Sequence, residues 1–221
     1  RQKRSNKLGQ LGLNDFPYTR LPIISLFYYK YLKKSKFIKQ EKRQYSPLNL
    51  DGTYYRGYWQ WPNQIPESLK SKIRESSNNF VLNTKIYDWS RLVVVHMRFT
   101  DYLNSNVHAF CSINYYKRAL QELSRTIKLN RILVVSDDQE SARKECKDWH
   151  GVEIIFSSEK SDIADFFLIT KAKYHIISNS TFAWWAALCS PAGSVTIIPK
   201  YWWVNEKYNP FKIGNIQVIE N

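Results

Sequence analysis

After Arg91 the sequence alternates short, unbroken aliphatic runs with amphipathic stretches, a rhythm that leaves few folds open to it. Residues 92–96, 132–136, 152–156, 174–178 and 194–198 read as strands. Between them, helices are predicted from Tyr115 to about Ile127, from Gln139 to Lys147, from Ser161 to Lys171 and from Thr181 to Leu188. Val93 to Val95 and Ile132 to Val135 show no alternation of apolar and polar residues, as expected of strands buried on both faces. Tyr116, Ala119, Leu120, Leu123 and Ile127 recur at helical spacing. Strand and helix in regular succession predict an α/β fold, a Rossmann-like parallel sheet covered by helices on both sides.

Residues 1–88 lack this rhythm, and a boundary is placed there: an amino-terminal part, 1–88, and a parallel-sheet domain, 89–221. Ile23, Ile24, Leu26, Phe27 and Tyr31 suggest a helix. A basic run, Lys30, Lys33, Lys34, Lys36, Lys39, Lys42 and Arg43, extends along and beyond it. Such a run is either a solvated face or a docking surface for an anionic membrane. Tyr54, Tyr55, Tyr58, Trp59 and Trp61 form an aromatic cluster, read as packing or as a sugar-stacking platform.

The formal charge of +14 favours partners that carry negative charge: nucleic acid, anionic membrane or phosphorylated small molecules. Cys111, Cys146 and Cys189 lie far apart without CxxC spacing, which argues against a zinc site and a disulfide framework and makes a reducing compartment the simpler reading. No stretch reaches the roughly 18 to 20 apolar residues of a membrane span, and no signal-peptide pattern opens the chain. The expectation is a cytoplasmic protein or one peripheral on the cytoplasmic membrane face, with the Golgi lumen as the alternative if an anchor was removed.

In an open parallel sheet, ligands bind beyond the carboxyl ends of the strands. Three polar clusters fall there: His96-Met97-Arg98-Phe99-Thr100-Asp101-Tyr102, Ser136-Asp137-Asp138 and Ser178-Asn179-Ser180-Thr181. Singly, each has a bland account as a satisfied histidine or a helix cap. Together at one sheet edge they predict a binding crevice. Arg98 offers a planar fork of donors to a phosphate, and the N–H groups near Ser180, Thr181 and Phe182 suit a second anionic oxygen, so a diphosphate fits both. Asp137 or Asp138 is placed to accept hydrogen bonds from a base or a ribose. Neither GxGxxG nor GxxxxGK[ST] occurs, which argues against a dinucleotide dehydrogenase and a P-loop NTPase. No DxD pair occurs either, and a mechanism without a metal is expected.

HMRFTDY (96–102) resembles the HxRRxDY signature of the α-1,2-fucosyltransferases, a glycosyltransferase family 11-like group, and more loosely that of the α-1,6- and protein O-fucosyltransferases. The resemblance continues through Tyr115-Tyr116-Lys117, VVSDD (134–138), HIISNSTFAWWAALCSP (175–191), IIPKYWW (197–203) and GYWQ (57–60). It implies a GT-B architecture of two facing lobes and an inverting transfer of L-fucose from GDP-β-L-fucose to a galactose 2-hydroxyl of a glycan acceptor. No cofactor or metal is required in such a reaction. By this resemblance Arg98 grips the β-phosphate, His96, Asp137 and Asp138 help hold the guanosine, and Asn179, Ser180, Thr181 and Phe182 line the donor site. Fixed donors of this kind are worth roughly 3 to 4 kcal/mol each at other oxyanion sites. Asp101 is either the catalytic base or a salt-bridge partner that orients Arg98.

The sequence departs from the family pattern in two places. Phe99-Thr100 stands where the family has Arg-Gly, and nothing in residues 1–60 matches the family's glycine-rich GGLGNQ loop. The amino-terminal lobe is therefore expected to be incomplete, and a catalytically silent GDP-sugar-binding paralogue or fragment is the alternative to an active enzyme. A basic nucleic-acid-binding protein, permitted by charge and aromatic content, lacks any recognition-module signature, and the adjoining Trp184 and Trp185 read as core.

Overall fold

A computed structural model of the chain describes residues 11, 38–40, 54–56, 65–86, 88–100, 108–204 and 216–220. Strands β1 (Ile38–Gln40) and β2 (Tyr54–Arg56) pair in parallel as a small separate sheet. Helix α1 (Glu67–Asn79) follows, then β3 (Leu92–Met97), α2 (Ile113–Ser124), β4 (Arg131–Ser136), α3 (Gln139–Glu145) and β5 (Glu153–Phe156). The chain continues through α4 (Asp162–Lys171), β6 (Tyr174–Ile177), α5 (Thr181–Leu188), β7 (Val195–Pro199) and β8 (Ile216–Ile219).

The main sheet has six parallel strands in the order β5-β4-β3-β6-β7-β8. The chain winds outward from β3 to β5, returns to the other side of β3 with β6, and winds outward again. This doubly wound order is the Rossmann arrangement, with the reversal between β3 and β6.

Two cores sandwich the sheet. Leu92 and Val94 of β3 pack on one side with α1, α4 and α5, through Ile73, Phe166, Phe167, Ile169, Trp184 and Ala187. Val93, Val95 and Met97 pack on the other with α2 and α3, through Tyr115, Tyr116, Ala119, Leu123 and Ala142. Every residue of β3 is buried, which is why its sequence shows no alternation. Helix α4 has seven buried residues of ten, among them the unbroken stretch from Phe166 to Thr170. All three cysteines are free and buried.

The predicted strands and helices from 92 to 199 occur in the predicted order, with shifted ends. Helix α2 starts two residues early, at Ile113, because Ser112 is extended and sits at the cap position. It stops at Ser124, where the N–H groups of Thr126 and Ile127 both turn back onto the Leu123 carbonyl. Helix α3 ends at Glu145 instead of continuing to Lys147. Helix α1 and strand β8 went unanticipated. In α1 only Leu69 and Ile73 are apolar, and Pro66 with Glu67 opens it. The suggested helix near 23–31, most of the basic run and GYWQ (57–60) lie outside the described residues.

Candidate functional site at the switch point

The strand order reverses between β3 and β6, and the predicted crevice falls beyond the carboxyl ends of these two strands. His96 is opposite Ile177 in the register, and the Ser178 N–H donates to the His96 carbonyl at 3.1 Å, extending the ladder by one rung. The His96 ring is 3% exposed, and its Nδ1 lies 3.0 Å from the Ser178 hydroxyl. Burial lowers its pKa to about 4, outweighing the attraction of the Asp137 carboxylate, so the ring is neutral near pH 7. Phe182, on the first turn of α5, faces it with ring centroids 6.1 Å apart.

Arg98 emerges one residue beyond β3, and Asp137 one residue beyond β4. Asp137 Oδ2 lies 3.2 Å from Arg98 Nε. The same carboxylate accepts the Phe99 N–H through Oδ1 at 2.9 Å, the Thr100 N–H through Oδ2 at 3.2 Å, and the Thr100 hydroxyl. One carboxylate therefore fixes the whole turn after β3 and braces the guanidinium. Thr100, which with Phe99 makes up one departure from the family pattern, is part of that brace. Asp101 lies outside the described residues; among those described, Asp137 braces Arg98.

Asp138 does a different job. Its Oδ1 accepts the Ser141 N–H at 3.0 Å and its Oδ2 the Ser141 hydroxyl at 2.6 Å, which makes it the cap of α3. Asn179 is fully buried. Its amide nitrogen donates to the carbonyls of Ala109 at 2.7 Å and Trp202 at 2.8 Å, and its oxygen accepts the Cys111 thiol at 3.6 Å. Asp137 thus braces a loop, Asp138 caps a helix, and Asn179 ties the turn after β6 to Ala109 and Trp202.

Ser180 caps α5, its hydroxyl accepting the Ala183 N–H at 3.4 Å. Among the described residues, the N–H groups of Thr181 and Phe182 have no acceptor, as expected of the first turn of a helix. They lie beyond the carboxyl end of β6, next to the strand that delivers Arg98. Arg98 and this helix start thus follow neighbouring strands, β3 and β6, on either side of the reversal.

Asp165 escaped the sequence reading. It sits in the first turn of α4, where its Oδ1 accepts the Ser157 hydroxyl at 2.6 Å just beyond β5. Burial raises its pKa to about 6, reinforced by Glu159 and Asp162. Its neighbour Phe166 packs on Phe182, 5.5 Å between centroids, which brings this turn against the start of α5. The only signal in sequence was an acid four residues after the Ser161 cap, which any amphipathic helix start could show.

A doubly wound sheet of six parallel strands with helices on both faces defines the α/β class. Within that class the chain belongs to Glycosyl transferase family 11, whose profile matches residues 11–216. It is 29% identical to an alpha-1,2-colitosyltransferase of Escherichia coli over 188 residues, 77% of this chain and 64% of that protein. It is also 29% identical to the O-antigen biosynthesis glycosyltransferase WbnK of Escherichia coli over 114 residues, 49% of this chain and 38% of that protein. The chain spans less than two thirds of the length of these curated relatives. Among the described residues no helix is long and apolar enough to cross a membrane, and no cluster of three metal-ligating side chains occurs.

Proposed function

We propose that this chain supplies the donor-binding part of an inverting glycosyltransferase that moves L-fucose from GDP-β-L-fucose to the 2-hydroxyl of a galactose in a glycan acceptor. In this reading residues 89–221 form the GDP-sugar domain of a GT-B enzyme, and residues 1–88 belong to the acceptor-side lobe. The observation that carries it is the placement of Arg98 and the start of α5 on neighbouring strand ends at the reversal.

The acceptor oxygen attacks the anomeric carbon from the side opposite the diphosphate. The bond to the β-phosphate oxygen breaks, and its electron pair leaves with GDP. Negative charge therefore grows on the diphosphate in the transition state, where the Arg98 guanidinium and the N–H groups of Thr181 and Phe182 bind it more strongly than in the ground state. Attack from one face and departure from the other turns a β-linked donor into an α-linked product. The hydroxyl proton passes to a base, for which Asp101 is the candidate. The residues in these roles are protein donors, and the reaction is written without a metal.

The colitosyltransferase relative favours a second reading of the donor sugar. Colitose is L-fucose without its 3-hydroxyl, so the same diphosphate grip serves either sugar. The test is incubation with GDP-fucose and with GDP-colitose, each with a panel of galactose-terminated acceptors, followed by mass and linkage analysis. An α-1,2-linked fucosyl product is expected. A colitosyl product alone selects the second reading, GDP binding without transfer marks a silent paralogue or fragment, and failure to bind GDP overturns the donor site.

A further inference from the structure

Tyr115 and Tyr116 open α2 on the face of the sheet opposite α5, yet their hydroxyls bond to strand ends that border the crevice. Tyr115, fully buried, donates to the Ile177 carbonyl at 2.6 Å, with the Ile197 carbonyl 3.3 Å away. Tyr116, 2% exposed, donates to the His96 carbonyl at 3.4 Å, the oxygen that also accepts the Ser178 N–H. Ile177 is the last residue of β6, His96 the penultimate residue of β3 and Ile197 the middle residue of β7.

Asn179 ties the same place from a third direction. Its two amide bonds fasten the turn between β6 and α5 to Ala109, ahead of α2, and to Trp202, beyond β7. The Ala109 N–H also donates to the Trp202 carbonyl at 3.4 Å, and His108 pairs with Trp203 as a bridge, so the two anchoring segments hold each other. All three side chains are buried. Phenylalanine would fill both tyrosine sites without burying a hydroxyl, and a buried hydroxyl is favourable only where its bond is made.

We propose that Tyr115, Tyr116 and Asn179 are positioning residues that together fix the separation between the Arg98 turn and the first turn of α5, and so the geometry of the diphosphate grip. The proposal rests on the donor-site reading above for its kinetic consequence and on the hydrogen-bond network alone for its structural one. Burial raises both phenol pKa values well above 10, so the hydroxyls remain donors across the working pH range. A reacting group displaced by a fraction of an ångström loses much of its rate advantage, so bonds remote from the ligand can govern turnover.

The test removes one oxygen at a time, as Tyr115→Phe and Tyr116→Phe in the full chain, and reads two quantities. The first needs no donor: amide hydrogen exchange over residues 178–184 against that over β4 and β5. Faster exchange confined to 178–184 is expected in Tyr115→Phe. No change, or a rise spread evenly through the sheet, overturns the proposal whether or not the parent is active. The second is transfer, where kcat should fall about tenfold with donor KM little changed. An unchanged kcat in an active parent also overturns it. A parent inactive with both GDP-sugars counts against the proposed function alone, because the exchange measurement still decides the network.

Discussion

Asp137 meets Arg98 through Nε, 3.2 Å from Oδ2, so the brace grips the guanidinium near its stem. The arginine is thereby fixed in direction by a group whose other bonds hold the Phe99 and Thr100 backbone. Orientation of this kind is what a two-pronged phosphate contact needs, because it fixes the fork before the charge develops.

Replacing Arg98 should therefore depress turnover more than donor binding. Arg98→Ala is expected to lose on the order of a hundredfold or more in kcat, and Arg98→Lys to stay strongly impaired because an ammonium has no fork. Asp137→Asn keeps an acceptor for the Phe99 N–H but removes the charge beside Nε. It should lower kcat and also destabilise the fold by about 1–3 kcal/mol, the usual cost of breaking a charge-assisted network. Steady-state kinetics with thermal melts separates the two residues: Arg98→Ala melting near the parental temperature, Asp137→Asn below it. Near-parental kcat in a well-folded Arg98→Ala variant would rule the phosphate role out.

Acid should unfold the protein earlier than its carboxylates alone require. His96 and His175 are both buried, with pKa values lowered to about 4. The unfolded chain binds these protons from about pH 6.5 downward and the native state only near pH 4. Stability present above pH 6.5 is thus lost as pH falls to 4, on the order of 3 kcal/mol per histidine. His175 is held by the Ile169 carbonyl and by Thr196 and Ser190, remote from the crevice. Urea unfolding of His175→Gln at pH 7 and pH 5 should show a lower stability at pH 7 and a shallower pH slope. An unchanged slope would refute the assignment.

Asp165 has the opposite sign. Its pKa is raised to about 6, so the native state takes up its proton before the unfolded chain does. Its contribution is favourable below about pH 4 and lost as pH rises through 6. Asp165→Asn should stabilise the protein above pH 6 by about 1–2 kcal/mol, a figure reduced for its partial exposure, and the gain should vanish below pH 4. Denaturant midpoints across that range decide it.

Donor chemistry supplies a further pair of expectations. Calorimetry should show GDP and GDP-fucose binding in preference to UDP and ADP analogues; equal affinity for UDP-sugars would count against the donor assignment. Transfer should survive EDTA nearly unchanged, since the grip assigned here consists of a guanidinium and helix-end N–H groups. Loss in EDTA with rescue by manganese would overturn the metal-free reading.

The sheet could be read in the sequence because its strands announce themselves: Val93 to Val95 and Ile132 to Val135 have no other economical fate than burial on both faces. Helix α1 could not, because it buries little more than Ile73 and Ser77 and the rest of it faces outward. At the site, Arg98 and the Ser180 cap follow from local spacing. The brace by Asp137 on a turn 38 residues earlier does not, nor does the clasp of Asn179 on Ala109 and Trp202. Those are long-range pairings that only the sheet order creates. Local pattern also left Asp137 and Asp138 indistinguishable, although one organises the turn after β3 and the other caps its own helix.

The three free cysteines have a practical corollary. Cys111, Cys146 and Cys189 are at most 5% exposed, and burial pushes each thiol up to about 12. Thiolate is the species that reacts with maleimides and peroxides, so the folded protein presents almost none at neutral pH. A cysteine engineered at exposed Val81 would then be the sole group to couple a fluorophore or spin label in the native state, and distance measurements could follow without first mutating the core.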